Sequence, residues 1–334
     1  MQQKRHIAII AGGDSSEHEV SLRSAAGLKT FIDAEKYDTT IVVLRGTDWK
    51  TEDGCVIDKN DFSFTRGGVK HTFDFAYITI HGTPGENGVL QGYLDMIGMP
   101  YSCCGVLAAA LTFNKYACNH YLSYFGFHIA NSMILRAGQK WPNAQKIADT
   151  LGLPCFIKSN IGGSSFGCTK VKTVEDIYPA IERAFGEGDE VICEAFMQGT
   201  EVTCGVYKTK EKAVAFPVTE VVTHNEFFDY DAKYKGQVDE ITPARIPDAL
   251  RDKIQAETLR LYDIIGANGI IRVDWILTKP SAVSIQDSDK VQLNLLEVNT
   301  TPGMTPTSFI PQQVRAAGLD IKNVLTDIIE NKFK

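Results

Sequence analysis

The chain has 334 residues, 44% of them hydrophobic and 22% charged, enough for two or three compact domains with cores of their own. Its net charge of −7 excludes broad nucleic-acid binding, which needs a basic surface to displace counterions, so anionic ligands must be held by local devices. No apolar run approaches the length that crosses a bilayer, and the start, Lys4 and Arg5 leading into "HIAIIAGG", lacks the apolar stretch and cleavage site of a signal peptide. The eight cysteines are irregularly spaced without a CxxC pair. Cys155, Cys168, Cys193 and Cys204 lie in or beside strand-like runs, as small hydrophobes in a reducing cytoplasm would.

Taken in chain order, Ile7 to Ile10 reads as a strand and Glu19 to Phe31 carries the 3.6-residue apolar period of a helix. Thr40 to Leu44 and Phe75 to Ile80 read as further strands, and this alternation implies a parallel sheet covered on both faces. A second region opens near Leu111, with a helix from Lys115, a strand at Ser132 to Arg136 and a helix ending at Thr150. Strands "PCFIKSN" and "CTKVK" follow around a Gly/Ser loop, then a helix from Val174 and strand "EVICEAF". The third region begins near Gly199 with strands "EVTCGVY" and "AVAFPVTEV". It continues through a polar, aromatic loop from Thr223 to Ile241, a helix from Pro247 to Gly266, two strands and a C-terminal helix. A loop of that length is better explained by function than as a connector. These signals divide the chain into residues 1–111, 112–198 and 199–334.

Three glycine-rich turns follow strands. In "AGGDSSEHEVS" the adjacent Gly12 and Gly13 break the G-x-G-x-x-G order, and the second strand ends in Arg45 rather than an acid, so a dinucleotide site is excluded. On this segment alone Glu17 reads as a helix-capping acid. In "HGTPGENGVLQG", glycines let backbone approach a small ligand, and His81 sits where open α/β sheets bind ligands. "KSNIGGSSFG" reads as a hairpin in which Lys158, the loop amides and the hydroxyls of Ser164 and Ser165 can fold over a triphosphate, although no Walker order is present.

The fourth constellation is "RVDWI" with "LLEVNTTPGMTPTSF", two strands joined by a polar loop. In an antiparallel pair Asp274 can face Glu297, and Asn299 shares the face of Glu297 because strand period is two. Two carboxylates and an amide form an all-oxygen set suited to Mg²⁺ rather than zinc. Arg272 projects to the same side, where it can neutralise a developing oxyanion. A surface salt-bridge cluster explains poorly why charges interrupt two apolar strands.

In this order, "HGTPGENGVLQG", "KSNIGGSSFG", "FFDYDAKY", "RVDWI" and "EVNTTPGMTPTS" resemble the D-alanine:D-alanine ligase family of ATP-grasp enzymes over nearly the whole chain. The resemblance implies an α/β fold: an N-terminal parallel-sheet, Rossmann-like domain followed by a two-domain ATP-grasp fold. It implies Lys115 and Lys158 at ATP phosphates with Ser165, Glu194 and Met197 at the adenine, and Glu201 at the ribose. Asp274, Glu297 and Asn299 would hold two Mg²⁺ ions, with Mn²⁺ as a replacement. Glu17 and His81 would face the first D-alanine, Ser164 and Tyr234 would form a triad with Glu17, and Lys233 and Ser308 would take the second carboxylate. Arg272 and the Gly303 amide would hold the oxyanion, and the loop from Thr223 to Ile241 would close as a lid. A homodimer is implied, with neither nucleic acid nor membrane as partner. Two other readings stay open: a ligase for D-lactate or another small amino acid, and an ATP-binding module without chemistry. The intact set of Lys158, Arg272, Asp274, Glu297 and Asn299 argues against the last.

Overall fold

β1 (Arg5–Gly12) is buried along its last six residues, the pattern of a strand covered on both faces. The structure, a computed structural model, describes residues 4–163, 167–223 and 238–334. After β1 come α1 (His18–Phe31), β2 (Tyr37–Arg45), β3 (Asp48–Thr51), β4 (Ile57–Asp58), β5 (Ser63–Arg66), β6 (Val69–His71), β7 (Phe75–Ile78) and α2 (Val89–Met96). The first sheet has the order β3-β2-β1-β7, with β1 parallel to β2 and β7 and β3 returning antiparallel. Ile7 and Ile9 pack with Ala25 and Leu28 of α1. Ala8 and Ile10, one residue out of phase, pack with Phe62, Phe64, Leu90 and Leu94. One face is thus covered by α1, the other by α2 and a separate β4-β5-β6 sheet. Sequence periodicity does not reveal those three strands, because two to four residues are too few to show a period.

The chain continues through α3 (Val106–Phe113), α4 (Lys115–Ser123) and β8 (His128–Ile129) into a second sheet. This contains β9 (Ser132–Arg136), α5 (Ala144–Leu151), β10 (Cys155–Ser159), β11 (Thr169–Val171), α6 (Ile177–Phe185) and β12 (Glu190–Ala195). Its strands, in order β11-β10-β12-β9, are antiparallel. Cys155 and Ile157 face a core made with Ile147, Leu151, Ile177 and Ile181 of α5 and α6, so alternation turns Phe156 and Lys158 to the opposite face.

The third sheet is built from β13 (Thr200–Lys208), β14 (Ala213–Ala215), β15 (Thr219–Thr223), β16 (Val238–Ile241), β17 (Ile270–Thr278) and β18 (Gln292–Asn299). α7 (Asp248–Ile264) lies between β16 and β17, and α8 (Phe309–Ala316) and α9 (Ile321–Glu330) end the chain. The order is β16-β15-β13-β17-β18-β8, with β14 beside β13. Cys104, Ala108, Cys118, Leu122 and Phe127 pack with Val202, Val273, Trp275 and Leu295, so α3, α4 and β8 belong to the core of this sheet although they precede the second one. Three sequence expectations are corrected. "AVAFPVTEV" forms two strands, interrupted around Pro217, which lacks the amide a continuous strand needs. The end of the long loop is strand β16, paired with β15. The C-terminal helix is two helices, broken near Gly318 with its φ of 67°.

Candidate active site

A cavity of about 430 Å³ opens between the second and third sheets. Lys158 and Glu194 enter it from one face of the second sheet, since Phe156 pairs with Glu194 across β10 and β12 and Lys158 is two residues on. Lys158 Nζ lies 2.6 Å from Glu194 Oε2, with the side chains 14% and 6% exposed. Burial pulls the Lys158 ammonium down most strongly of any one cause, but Glu194, Cys168 and Glu297 together outweigh it and hold the group well above the ordinary lysine range. Met197 and Glu201 line the same cavity. Phe156 and Phe196, with ring centroids 6.0 Å apart, join Ile276 and Leu296 to give it an apolar wall.

Across the third sheet, Arg272 pairs with Asn299 and Asp274 with Glu297, while Val273 pairs with Val298 on the core side. Arg272 grips Asp274 bidentately, Nε to Oδ1 at 2.9 Å and Nη2 to Oδ2 at 2.8 Å. Thr203 donates to Asp274 Oδ1 at 2.5 Å, and Asn299 Nδ2 reaches Asp274 Oδ2 at 3.1 Å and Glu297 Oε1 at 3.5 Å. The register then slips: Trp275 pairs with Leu295, so Leu296 falls between the pairs as a β-bulge. That slip puts Leu296 and Glu297, adjacent in sequence, both on the cavity. Two carboxylates brought together beside an amide side chain are the kind of oxygen donors a hard divalent cation takes.

A second cavity, of about 250 Å³, lies under the first domain and shares Lys115, Arg272 and Glu297 with the first. Glu17, His81, Gly303 and Ser308 line it. Glu17 precedes α1 and is 8% exposed, but its side chain makes no capping bond to that helix, so capping does not account for it. His81 Nε2 is 3.3 Å from Ser24 Oγ of α1. Gly163 reaches across: a Cβ there would stand 2.0 Å from Glu17 Oε2, so any larger residue would push the Glu17 carboxylate aside. Lys115 donates to the Gly162 carbonyl. Burial, then Lys158, draws the Lys115 ammonium below its ordinary range, against the pull of Glu297. Ser308 is the N-cap residue of α8, where backbone amides favour an anion.

Residues 6–104 match the family described as D-ala D-ala ligase N-terminus, and residues 122–330 that described as D-ala D-ala ligase C-terminus. The chain belongs to the D-alanine–D-alanine ligase family. The ligase of that name from Bacteroides fragilis is 64% identical to it, over 99% of this chain and 100% of that protein. The one from Porphyromonas gingivalis is 53% identical, over 98% of each. Among solved structures, D-alanyl-alanine synthetase A from Vibrio cholerae is 29% identical with a TM-score of 0.85, over 99% of both chains. The VanG D-Ala:D-Ser ligase from Enterococcus faecalis is 29% identical with a TM-score of 0.83, over 99% of this chain and 100% of that one. The fold is accordingly α/β, an N-terminal parallel-sheet domain followed by a two-domain ATP-grasp fold.

Against this ligase family, the sequence-derived residues Lys115, Lys158, Glu194, Met197, Glu201, Asp274 and Glu297 gather at the first cavity. Glu17, His81, Arg272, Asn299, Gly303 and Ser308 gather at the second. Ser164, Ser165, Lys233 and Tyr234 lie outside the described residues. Sequence reasoning missed Thr203, Glu86 and Glu240. Thr203 is two residues after Glu201 on β13, so period two would have found it. Glu86 sits inside "HGTPGENG", lines the second cavity and accepts from the Gly82 amide at 2.8 Å. Burial raises its carboxyl above the ordinary range, against the pull of His81 and with help from Glu17. Glu240, also raised by burial, accepts from Gln312 and lines that cavity from β16.

Proposed function

We propose that the chain joins two D-alanines into D-alanyl-D-alanine for peptidoglycan precursors, consuming ATP and passing through D-alanyl phosphate. The observation that carries this reading is the meeting of the two cavities at Lys115, Arg272 and Glu297, a nucleotide-sized space and an amino-acid-sized one sharing a charged junction. ATP would lie with its adenine toward Glu194, Met197 and the apolar wall, its ribose at Glu201, and its phosphates toward Lys158, Lys115 and the hairpin with Ser165. Asp274, Glu297 and Asn299 would hold two Mg²⁺ ions, Mn²⁺ serving in their place, and such ions spread the charge of the phosphate oxygens.

The first D-alanine would sit by Glu17 and His81 with its carboxylate at the junction, where the γ-phosphoryl group passes to it. The second would bind its carboxylate at Ser308 and Lys233. Its ammonium proton would go to Glu17, held by Ser164 and Tyr234; the close approach of Gly163 to Glu17 supports that triad. The freed amine attacks the acyl carbon, Arg272 and the Gly303 amide stabilise the oxyanion, and phosphate leaves. Excluding water protects the acyl phosphate, which is the task proposed for the segment Thr223 to Ile241, whose residues 224–237 lie outside the described residues. Phosphate release from ATP, measured with D-alanine, L-alanine, D-serine or D-lactate as acceptor, tests the reading. D-Alanine is expected to support release and self-condensation, and failure to release phosphate with D-alanine would overturn it.

We also propose a homodimer, supported by Val89, Met96, Val106 and Leu107, all exposed on α2 and α3. Sedimentation at several concentrations tests this; a monomer throughout would refute it. All eight cysteines are unbridged, which supports a reducing, cytoplasmic setting. Among the described residues no helix is long and apolar enough to cross a membrane.

A further inference from the structure

The slip that places Glu297 beside Asp274 leaves Leu296 without a partner residue on β17, and an unpartnered bulge residue needs something to hold it. Asn119 of α4 meets it: its Nδ2 donates to the Leu296 carbonyl at 3.3 Å. Asn119 is 3% exposed, an amide placed among the apolar residues that pack α4 on β18. The same helix begins with Lys115, and residues four apart share one helix face. Its first turn is tied to the end of β10, the Lys115 amide to the Asn160 carbonyl at 3.2 Å and the Tyr116 amide to Asn160 Oδ1 at 2.8 Å. One short helix therefore joins the base of the phosphate hairpin to the strand carrying Glu297.

We propose that Asn119 is a positioning residue for Glu297, acting by locking the β18 bulge; this rests on the reading of Asp274, Glu297 and Asn299 as cation ligands. Without the amide donor, β18 gains by sliding into regular register. The slide turns Glu297 away from Asp274 and Leu296 away from the nucleotide cavity.

The test measures Mn²⁺ affinity, by its electron paramagnetic resonance signal in the presence of ADP, alongside calorimetric binding of ADP without divalent cation. Asn119→Leu is expected to weaken Mn²⁺ binding by about tenfold or more, the usual cost of losing a partner behind a metal ligand. Cation-free ADP binding should weaken less, and Asn119→Gln, which keeps the donor, should recover most of the Mn²⁺ affinity. A folded Asn119→Leu protein with wild-type Mn²⁺ affinity overturns the proposal, as does equal loss in Asn119→Gln. If Asn119→Leu does not fold, Asn119→Ser takes its place and wild-type Mn²⁺ affinity in it is equally fatal. Glu297→Gln separates the two levels. If it leaves Mn²⁺ affinity unchanged, the cation reading fails; if it weakens binding while Asn119→Leu does not, only the role of Asn119 fails.

Discussion

The two cavities are built from different material. The larger is lined from strands: Phe156 and Lys158 on β10, Glu194 on β12, Glu201 on β13, Asp274 and Ile276 on β17, Leu296 and Glu297 on β18. The smaller takes Glu240, Arg272, Glu297 and Asn299 from strands but is otherwise lined mainly from ends and loops: Glu17 before α1, His81 and Glu86 after β7, Gly162 and Gly163 after β10, and 300–303 after β18. Strand positions are fixed by register over many hydrogen bonds, whereas loops move by local changes at little cost. The division sets a side held by strand register against one that loops can reshape.

If the strand-built side carries the chemistry, its substitutions should abolish turnover without unfolding the protein. Glu297→Gln should give the largest effect, with no measurable phosphate release and unchanged circular dichroism. Asn299→Ala should cost less, since it removes a neutral amide rather than a charge. Near wild-type turnover in a folded Glu297→Gln enzyme would remove the metal assignment and much of the contrast with it.

Arg272 tests the junction. Loss of one oxyanion donor typically costs about 10²–10³ in turnover, and Arg272→Met should lose at least that much in kcat. The guanidinium also grips Asp274, so the variant sharpens the comparison. If KM for ATP rises as steeply as kcat falls, Arg272 serves the nucleotide side by holding Asp274, and the oxyanion role goes.

How much of this was legible in the sequence follows the same division. Alternation in "RVDWI" and "LLEVN" was enough to pair Asp274 with Glu297, because period two constrains both strands at once. The order of motifs pointed to the family over nearly the full chain. Alternation could not show the slip at Leu296, since a bulge breaks the very period being read. Nor could it show that α3 and α4 pack on the third sheet, or that Asn119 meets β18; both are long-range contacts without a local signature. Glu17 was ambiguous for a related reason. A carboxylate at a helix start is usual, and only the absence of a capping bond and the approach of Gly163 separate the two uses.

The Lys158–Glu194 pair offers a moderate effect. With 14% and 6% exposure it is buried, and removing one partner of such a pair typically costs about 3–5 kcal/mol by leaving the other charge uncompensated. Glu194→Gln should therefore lower the melting temperature clearly, and saturating ATP should recover much of the loss if phosphates can take over the Lys158 ammonium. The sign with pH follows from Lys158 being raised on folding: its contribution is fully present below the ordinary lysine pKa and fades only as pH rises through the higher folded value. The difference between wild type and variant should accordingly hold constant across neutral pH. A difference that vanished between pH 6 and 8 would show that another group is responsible.

The smallest expected effect on turnover comes from the residue next to a proposed ligand. Trp275 follows Asp274 directly, yet alternation turns it to the core, where it is 1% exposed and its ring lies 6.0 Å from that of Phe127. Its Nε1 donates to Thr258 Oγ1 at 3.2 Å, and Thr258 in turn donates to the Ile254 carbonyl at 2.7 Å, so the indole is held from α7. Trp275→Phe removes that donor and part of the ring, leaving a small void. Thr258 keeps its own donation, so the loss is that of one neutral hydrogen bond plus incomplete packing, about 1–3 kcal/mol. Strands β13 and β18 flank β17 and hold the register of Asp274 independently of the indole. Urea unfolding should show the loss in stability, while kcat stays within about a factor of two, equivalent to roughly 0.4 kcal/mol in the barrier. A folded Trp275→Phe enzyme with tenfold lower kcat would mean that packing behind the sheet sets the geometry in front of it, and that the strand-built cavity is no more rigid than the loop-built one.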